Sequence, residues 1–131
     1  MNIYLASILG GLAGGVVFGV MMAKMNKLTM IAGLVGKNSN SAGWGVHLVI
    51  SLIIGLLYPI TATFFGLSEG LAEVSRGTTY GALYGAAWWL FAPSIIMPLL
   101  LKKHPKLAPI KGLIGHAIYG AILGLVVSLL I

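Results

Sequence analysis

Four long apolar runs, separated by short polar connections, dominate the pattern of hydrophobic and polar positions in this chain. They cover approximately residues 3–23, 43–65, 77–100 and 112–131. Each run is close to the roughly 20 apolar residues that a helix needs to cross a bilayer. The pattern therefore predicts an all-α polytopic membrane protein, a four-helix bundle that forms a single membrane domain over residues 1–131.

The first connection, residues 24–42, contains a short amphipathic pattern. Leu28, Ile31 and Leu34 recur at helical spacing among lysines. This spacing predicts a short helix that lies at the membrane surface and joins the first two spans.

The charged residues lie almost entirely in the three connections. The first and third connections hold seven lysines and no acidic residue, whereas the second holds Glu69, Glu73 and Arg76. Because lysine-rich loops remain in the cytoplasm, we expect both lysine loops there and both termini outside. The lysines of the third connection are candidates for contact with anionic lipid headgroups: Lys102, Lys103, Lys106 and Lys111.

The overall composition agrees with a membrane protein and excludes several other classes. Mean hydropathy is +1.03, and only 8% of the residues are charged, too few to cover a soluble domain. The net charge of +6 sits beside apolar runs, so it indicates the lipid bilayer as partner and not nucleic acid. With no cysteine, the chain has neither disulfides nor thiolate metal sites.

Small residues recur every four positions on each predicted span, so that they share one helix face. The first and third spans carry matching glycines 66 residues apart: Gly11, Gly15 and Gly19 match Gly77, Gly81 and Gly85. The second and fourth spans carry matching stripes 69 residues apart: Gly43, His47, Ser51 and Gly55 match Gly112, His116, Gly120 and Gly124. Such GxxxG-type stripes predict close helix packing.

These matches predict an internal repeat of two tandem helical hairpins. The first hairpin covers residues 1–65 and the second covers residues 77–131. Because each hairpin has two spans, both have the same orientation, and a pseudo-twofold axis along the membrane normal relates them. His47 and His116 are then expected at equal depth on the cytoplasmic side, facing each other across this axis.

The histidine pair is the candidate functional site, because ionisable groups within a membrane usually have a function. One interpretation is a cofactor site, in which His47 and His116 ligate a haem and Trp88 and Trp89 pack against it. A metal ion alone is disfavoured, because zinc needs about four ligands and the spans offer no further His, Cys, Asp or Glu.

Two other interpretations remain open. The histidines are suited to line the pathway of an oligomeric channel or of a small-solute or ion carrier, because imidazole titrates near neutral pH. They are also suited to join helices through hydrogen bonds to backbone carbonyls, near the start of each span. No nucleophile–base pair with an orienting carboxylate is visible, so we expect a non-enzymatic protein. The expected role is a cofactor-holding or accessory subunit, in a homo-oligomer or a larger membrane complex.

Three segments carry a resemblance to a known family. They are Gly43-Trp44-Gly45-Val46-His47, the run from Gly77 to Pro98 with its tryptophan pair, and the run from His116 to Gly124. Together they resemble a domain of unknown function found in small bacterial and archaeal membrane proteins. The resemblance implies a four-helix fold in a prokaryotic plasma membrane, with histidines in the second and fourth spans. It implies no activity.

Overall fold

The computed structural model describes residues 1–131 as an all-helical chain without strands. Two short 3-10 turns and a π-helical segment accompany the α-helices. The α-helices, in chain order, are α1 (Ile3–Lys24), α2 (Leu28–Ala32), α3 (Asn40–Phe64), α4 (Val74–Phe91), α5 (Met97–Leu100) and α6 (Ile110–Leu130). The π-helical segment Ala92–Ile96 joins α4 to α5, so the two form one continuous helical run.

Four helical runs are long and apolar enough to cross a membrane, as the sequence predicts. They are α1, α3, α4 through α5, and α6, and their mean hydropathy ranges from 1.5 to 2.1. The second run begins at Asn40, three residues before the predicted start, because the Ser39 hydroxyl accepts a hydrogen bond from the Ala42 amide at 3.2 Å. This N-cap satisfies an amide that would otherwise lack a partner.

The predicted short helix in the first connection is present as α2. Leu28 and Ile31 are buried, and the carbonyl of Leu28 lies directly against Gly43, near the start of α3. A Cβ atom at Gly43 would overlap this carbonyl. The helix is therefore folded against α3, and glycine is the residue that allows this approach.

The long helices pack in the spatial order α3–α1–α6–α4. The backbones of α3 and α4, at the two ends of this order, stay further apart, and tyrosine side chains connect them. The Tyr58 hydroxyl donates to the Gly77 carbonyl at 2.9 Å, and the Tyr84 hydroxyl donates to the Ile54 carbonyl at 2.5 Å. These bonds lie toward the end of the molecule that contains the second connection.

Two prolines explain the π-helical segment and the path of the third connection. Proline has no amide hydrogen, so it leaves the carbonyl four residues earlier without its helical partner. Pro93 leaves the carbonyl of Trp89 without a helical partner, and this carbonyl accepts a hydrogen bond from the Ser94 hydroxyl at 3.1 Å. Pro98 leaves the carbonyl of Ser94 without a helical partner, and this carbonyl accepts a hydrogen bond from the Lys106 amide at 3.0 Å. The third connection is thereby tied to the interrupted helix.

Candidate functional site

Both histidines lie near the starts of their helices, at the end of the molecule that carries the lysine loops. His47 is seven residues after the first residue of α3, and His116 is six residues after the first residue of α6. His47 is 5% exposed, and His116 is half-buried. The structure thus gives the two residues matching positions, but different environments.

His47 connects two helices. Its Nε2 lies 2.8 Å from the carbonyl oxygen of Gly15 on α1. Since a carbonyl can only accept, Nε2 must carry the proton, and in the neutral ring the lone pair then lies on Nδ1. This buried bond between α3 and α1 is the helix-joining role that was one of the three interpretations of the sequence.

His116 bonds within its own helix. Its Nδ1 lies 2.7 Å from the carbonyl oxygen of Gly112, one turn earlier in α6. By the same reasoning Nδ1 donates, and Nε2 keeps its lone pair. This is the arrangement seen in many ligating histidines, in which one ring nitrogen is anchored and the other faces a ligand.

A phenylalanine from α1 brings the two imidazoles into one site. The ring centroid of Phe18 lies 5.5 Å from that of His47 and 4.6 Å from that of His116, in edge-on geometry at both. The sequence reasoning missed Phe18. A usable signal was its spacing of four residues from Gly14, because both residues are buried on the same face of α1.

Both histidines line a cavity of about 310 Å³. It lies where the backbones of α3 and α4 stay apart, and residues of both helices line it. Its lining is mostly hydrophobic and includes three methionine side chains, from Met22, Met30 and Met97. The rim residues Ile53 and Leu100 are 51% and 65% exposed. Because these two exposed residues lie on candidate membrane spans, part of the cavity borders the lateral surface of the helices.

The tryptophan pair divides between two surroundings. Trp88 lines the cavity together with the histidines. Trp89 does not: its Nε1 donates to the carbonyl of Pro109 at 3.1 Å, and Gly112 packs against its ring. Trp89 therefore anchors the third connection, and this geometry does not favour its packing against a ligand held by the histidines.

The four lysines of the third connection are exposed: Lys102, Lys103, Lys106 and Lys111. Their contact with lipid headgroups remains a prediction. The structure brings no group of three His, Cys, Asp or Glu residues within reach of one metal ion. The two histidines thus have no third ligand of these types beside them.

Chemically, the site combines apolar walls with two imidazole lone pairs. Such a cavity is at the small end of the range for small-molecule sites, about 300–1,000 Å³, and its few polar groups would fix the orientation of a ligand. Comparison with known protein-family models, with characterised proteins and with solved structures finds no match for this chain. The interpretation of the site therefore depends on its own geometry.

Proposed function

We propose that this chain is a non-enzymatic integral membrane protein that holds a small apolar ligand between its two histidines. The four spans form a bundle of two tandem hairpins, with both termini outside and both lysine loops cytoplasmic. The protein acts as an accessory subunit, in a homo-oligomer or a larger membrane complex. The resemblance to the uncharacterised family of small bacterial and archaeal membrane proteins belongs to the same proposal.

The glycine contacts support the tandem repeat. In the first hairpin Gly11 packs against Gly55 and Gly15 packs against Ser51. In the second hairpin, the residues that match these four by sequence form the corresponding contacts: Gly77 with Gly124, and Gly81 with Gly120. If the two hairpins resembled each other only by chance, residues that match in sequence would have no reason to form the same pairwise contacts in both.

One observation carries the ligand-holding function: both histidines line the same cavity, each with one ring nitrogen fixed by a hydrogen bond and one lone pair left. A purely structural pair needs no cavity beside it. The mainly hydrophobic lining also favours a held ligand over an ion pathway, because ions lose their hydration in an apolar passage. The channel or carrier function is therefore the second candidate.

Haem is a less favourable ligand than a smaller molecule. His116 has the orientation of an axial ligand, with its Nε2 lone pair left by the bond to Gly112. The Nε2 of His47, however, is already bonded to Gly15, and Phe18 packs against both imidazoles. Ligation of one iron by both rings would require Phe18 to move and His47 to bind the iron through Nδ1.

The test blocks the cavity without changing either histidine. Ile53 lies at the rim of the cavity, and Ile60, two helical turns further along α3, lies outside it. Both are 51% exposed, so Ile53→Trp and Ile60→Trp are matched substitutions. Each protein is purified in mild detergent and extracted with organic solvent, and the extract is analysed by mass spectrometry.

We expect an apolar compound to be retained by the wild type and by Ile60→Trp, and to be lost from Ile53→Trp. Equal retention by all three proteins would show that the cavity does not hold the compound. An absorption spectrum of the same samples tests haem directly, because a Soret band that disappears in His116→Ala would identify haem as the ligand.

A further inference from the structure

Three polar side chains of the cavity, those of His47, His116 and Tyr119, share a property that narrows the class of ligand, while the indole N–H of Trp88 is the one fixed donor in the lining. The hydrogen of each neutral imidazole is donated to a backbone carbonyl, that of Gly15 or of Gly112. The hydroxyl of Tyr119, which also lines the cavity, donates to the carbonyl of Ser51 at 2.6 Å. All three side chains have therefore used their donors and have only acceptor capacity left.

A ligand with hydrogen-bond donors complements this lining. Beside His47, His116 or Tyr119, a ketone, an ester or an ether would place acceptors against acceptors and leave these side chains without partners, which is costly in an apolar environment. The only fixed donor for such a ligand is the Trp88 indole. The Ser51 side chain, which also lines the cavity, adapts to either role because its hydroxyl rotates. The preferred polar group of the ligand is thus a hydroxyl.

The apolar part of the lining favours an aromatic ring next to that hydroxyl. Phe18 and Trp88 contribute aromatic surfaces, and Met22, Met30 and Met97 contribute polarisable thioethers. Aromatic rings gain from edge-on contacts with other rings and from contacts with methionine sulfur, beyond the area they bury. A cavity of about 310 Å³ is large enough for one substituted ring.

From these observations we propose that the cavity binds the ring of a membrane-soluble phenol or hydroquinone, which enters sideways from the bilayer between α3 and α4. The ring hydroxyl donates to the free nitrogen of His116, and apolar substituents extend past Ile53 into the lipid. This inference rests on the proposed function, since it specifies the ligand of the same site.

The test compares two probes of nearly the same shape, 2-tert-butylhydroquinone and its dimethyl ether, which lacks the donors. Their Kd values are measured without oxygen by equilibrium dialysis against the purified protein in detergent, with protein-free micelles as the blank. One buried hydrogen bond is expected to give the hydroquinone about a tenfold advantage over the ether. The comparison uses the wild type, so it does not depend on the folding of a variant.

Two histidine variants locate the preference. In His116→Leu the tenfold advantage is expected to disappear, whereas His104→Leu, the same change in the exposed third connection, keeps it. Equal Kd values for hydroquinone and ether in the wild type would overturn the inference. If both probes bound equally but Ile53→Trp abolished their binding, the ligand site would stand and only its donor preference would be wrong.

Discussion

Replacement of Gly81 by alanine tests the close packing on which the second hairpin depends. Gly81 on α4 faces the backbone of Gly120 on α6, and a Cβ atom at Gly81 would overlap the Gly120 carbonyl oxygen. The obstacle is backbone, so it cannot rotate away as a long side chain would. The matched control is Gly45→Ala in α3, because nothing lies within 4 Å of a Cβ built there.

The magnitude follows from two opposing effects. Alanine favours a helix over glycine by up to about 1 kcal/mol, and this gain applies to both variants. Overpacking at a close contact costs about 1–3 kcal/mol, and a backbone obstacle places Gly81→Ala at the upper end. We therefore expect Gly45→Ala to be neutral or up to about 1 kcal/mol more stable, and Gly81→Ala to be about 2 kcal/mol less stable.

The measurement is reversible unfolding of each protein in mixed micelles, followed by helical circular dichroism as the denaturing detergent fraction rises. The difference between the two variants isolates the steric term, because their helix-propensity gains cancel. If Gly81→Ala were as stable as Gly45→Ala, the helices would not meet at this glycine. The matched contacts that support the tandem repeat would then lose their physical basis.

Two further outcomes follow from the tyrosine connections and from the charge pattern. Removal of the hydroxyl in Tyr84→Phe should destabilise the protein by about 1 kcal/mol in the same unfolding assay, because a buried bond to the Ile54 carbonyl is lost. An unchanged midpoint would mean that this bond does not stabilise the contact between α3 and α4. Because the chain contains no cysteine, a single introduced cysteine reports on which side of the membrane its loop lies. In intact cells, Asn38→Cys in the first connection should be protected from an impermeant thiol reagent, and Ser68→Cys in the second connection should be labelled. The opposite result would reverse the proposed orientation.

The four spans were predictable because their signal is additive along the chain. A run of about 20 apolar residues identifies a crossing helix whatever its neighbours are, and all four runs are helical in the structure. The ends were less predictable, since they depend on single local interactions. The hydroxyl cap from Ser39, for example, starts α3 three residues before the predicted position.

The cavity was less predictable, because it depends on which helices stay apart. The spacing of His47 and His116 gives their depth and face, but it does not reveal that tyrosines hold α3 and α4 at a distance. Nor does it distinguish Trp88 from its neighbour Trp89. Consecutive residues point about 100° apart around a helix, so that Trp88 lines the cavity while Trp89 bonds to Pro109 in the third connection. Such assignments require the packing of all four helices at once.

The two histidines have matching positions but different bonds, and the residue one turn further along each helix explains the difference. Ser51 follows His47, and its side chain meets Gly15, so α1 and α3 are separated by a side chain and an imidazole can reach across to the Gly15 carbonyl. Gly120 follows His116, and it lets α4 and α6 meet backbone to backbone. No space is left there for an imidazole between the helices. His116 therefore bonds to its own helix at Gly112 and keeps its second nitrogen for the cavity. The difference between Ser51 and Gly120 thus explains why His47 joins two helices, whereas His116 bonds within its own helix and is the histidine available to the ligand that we propose.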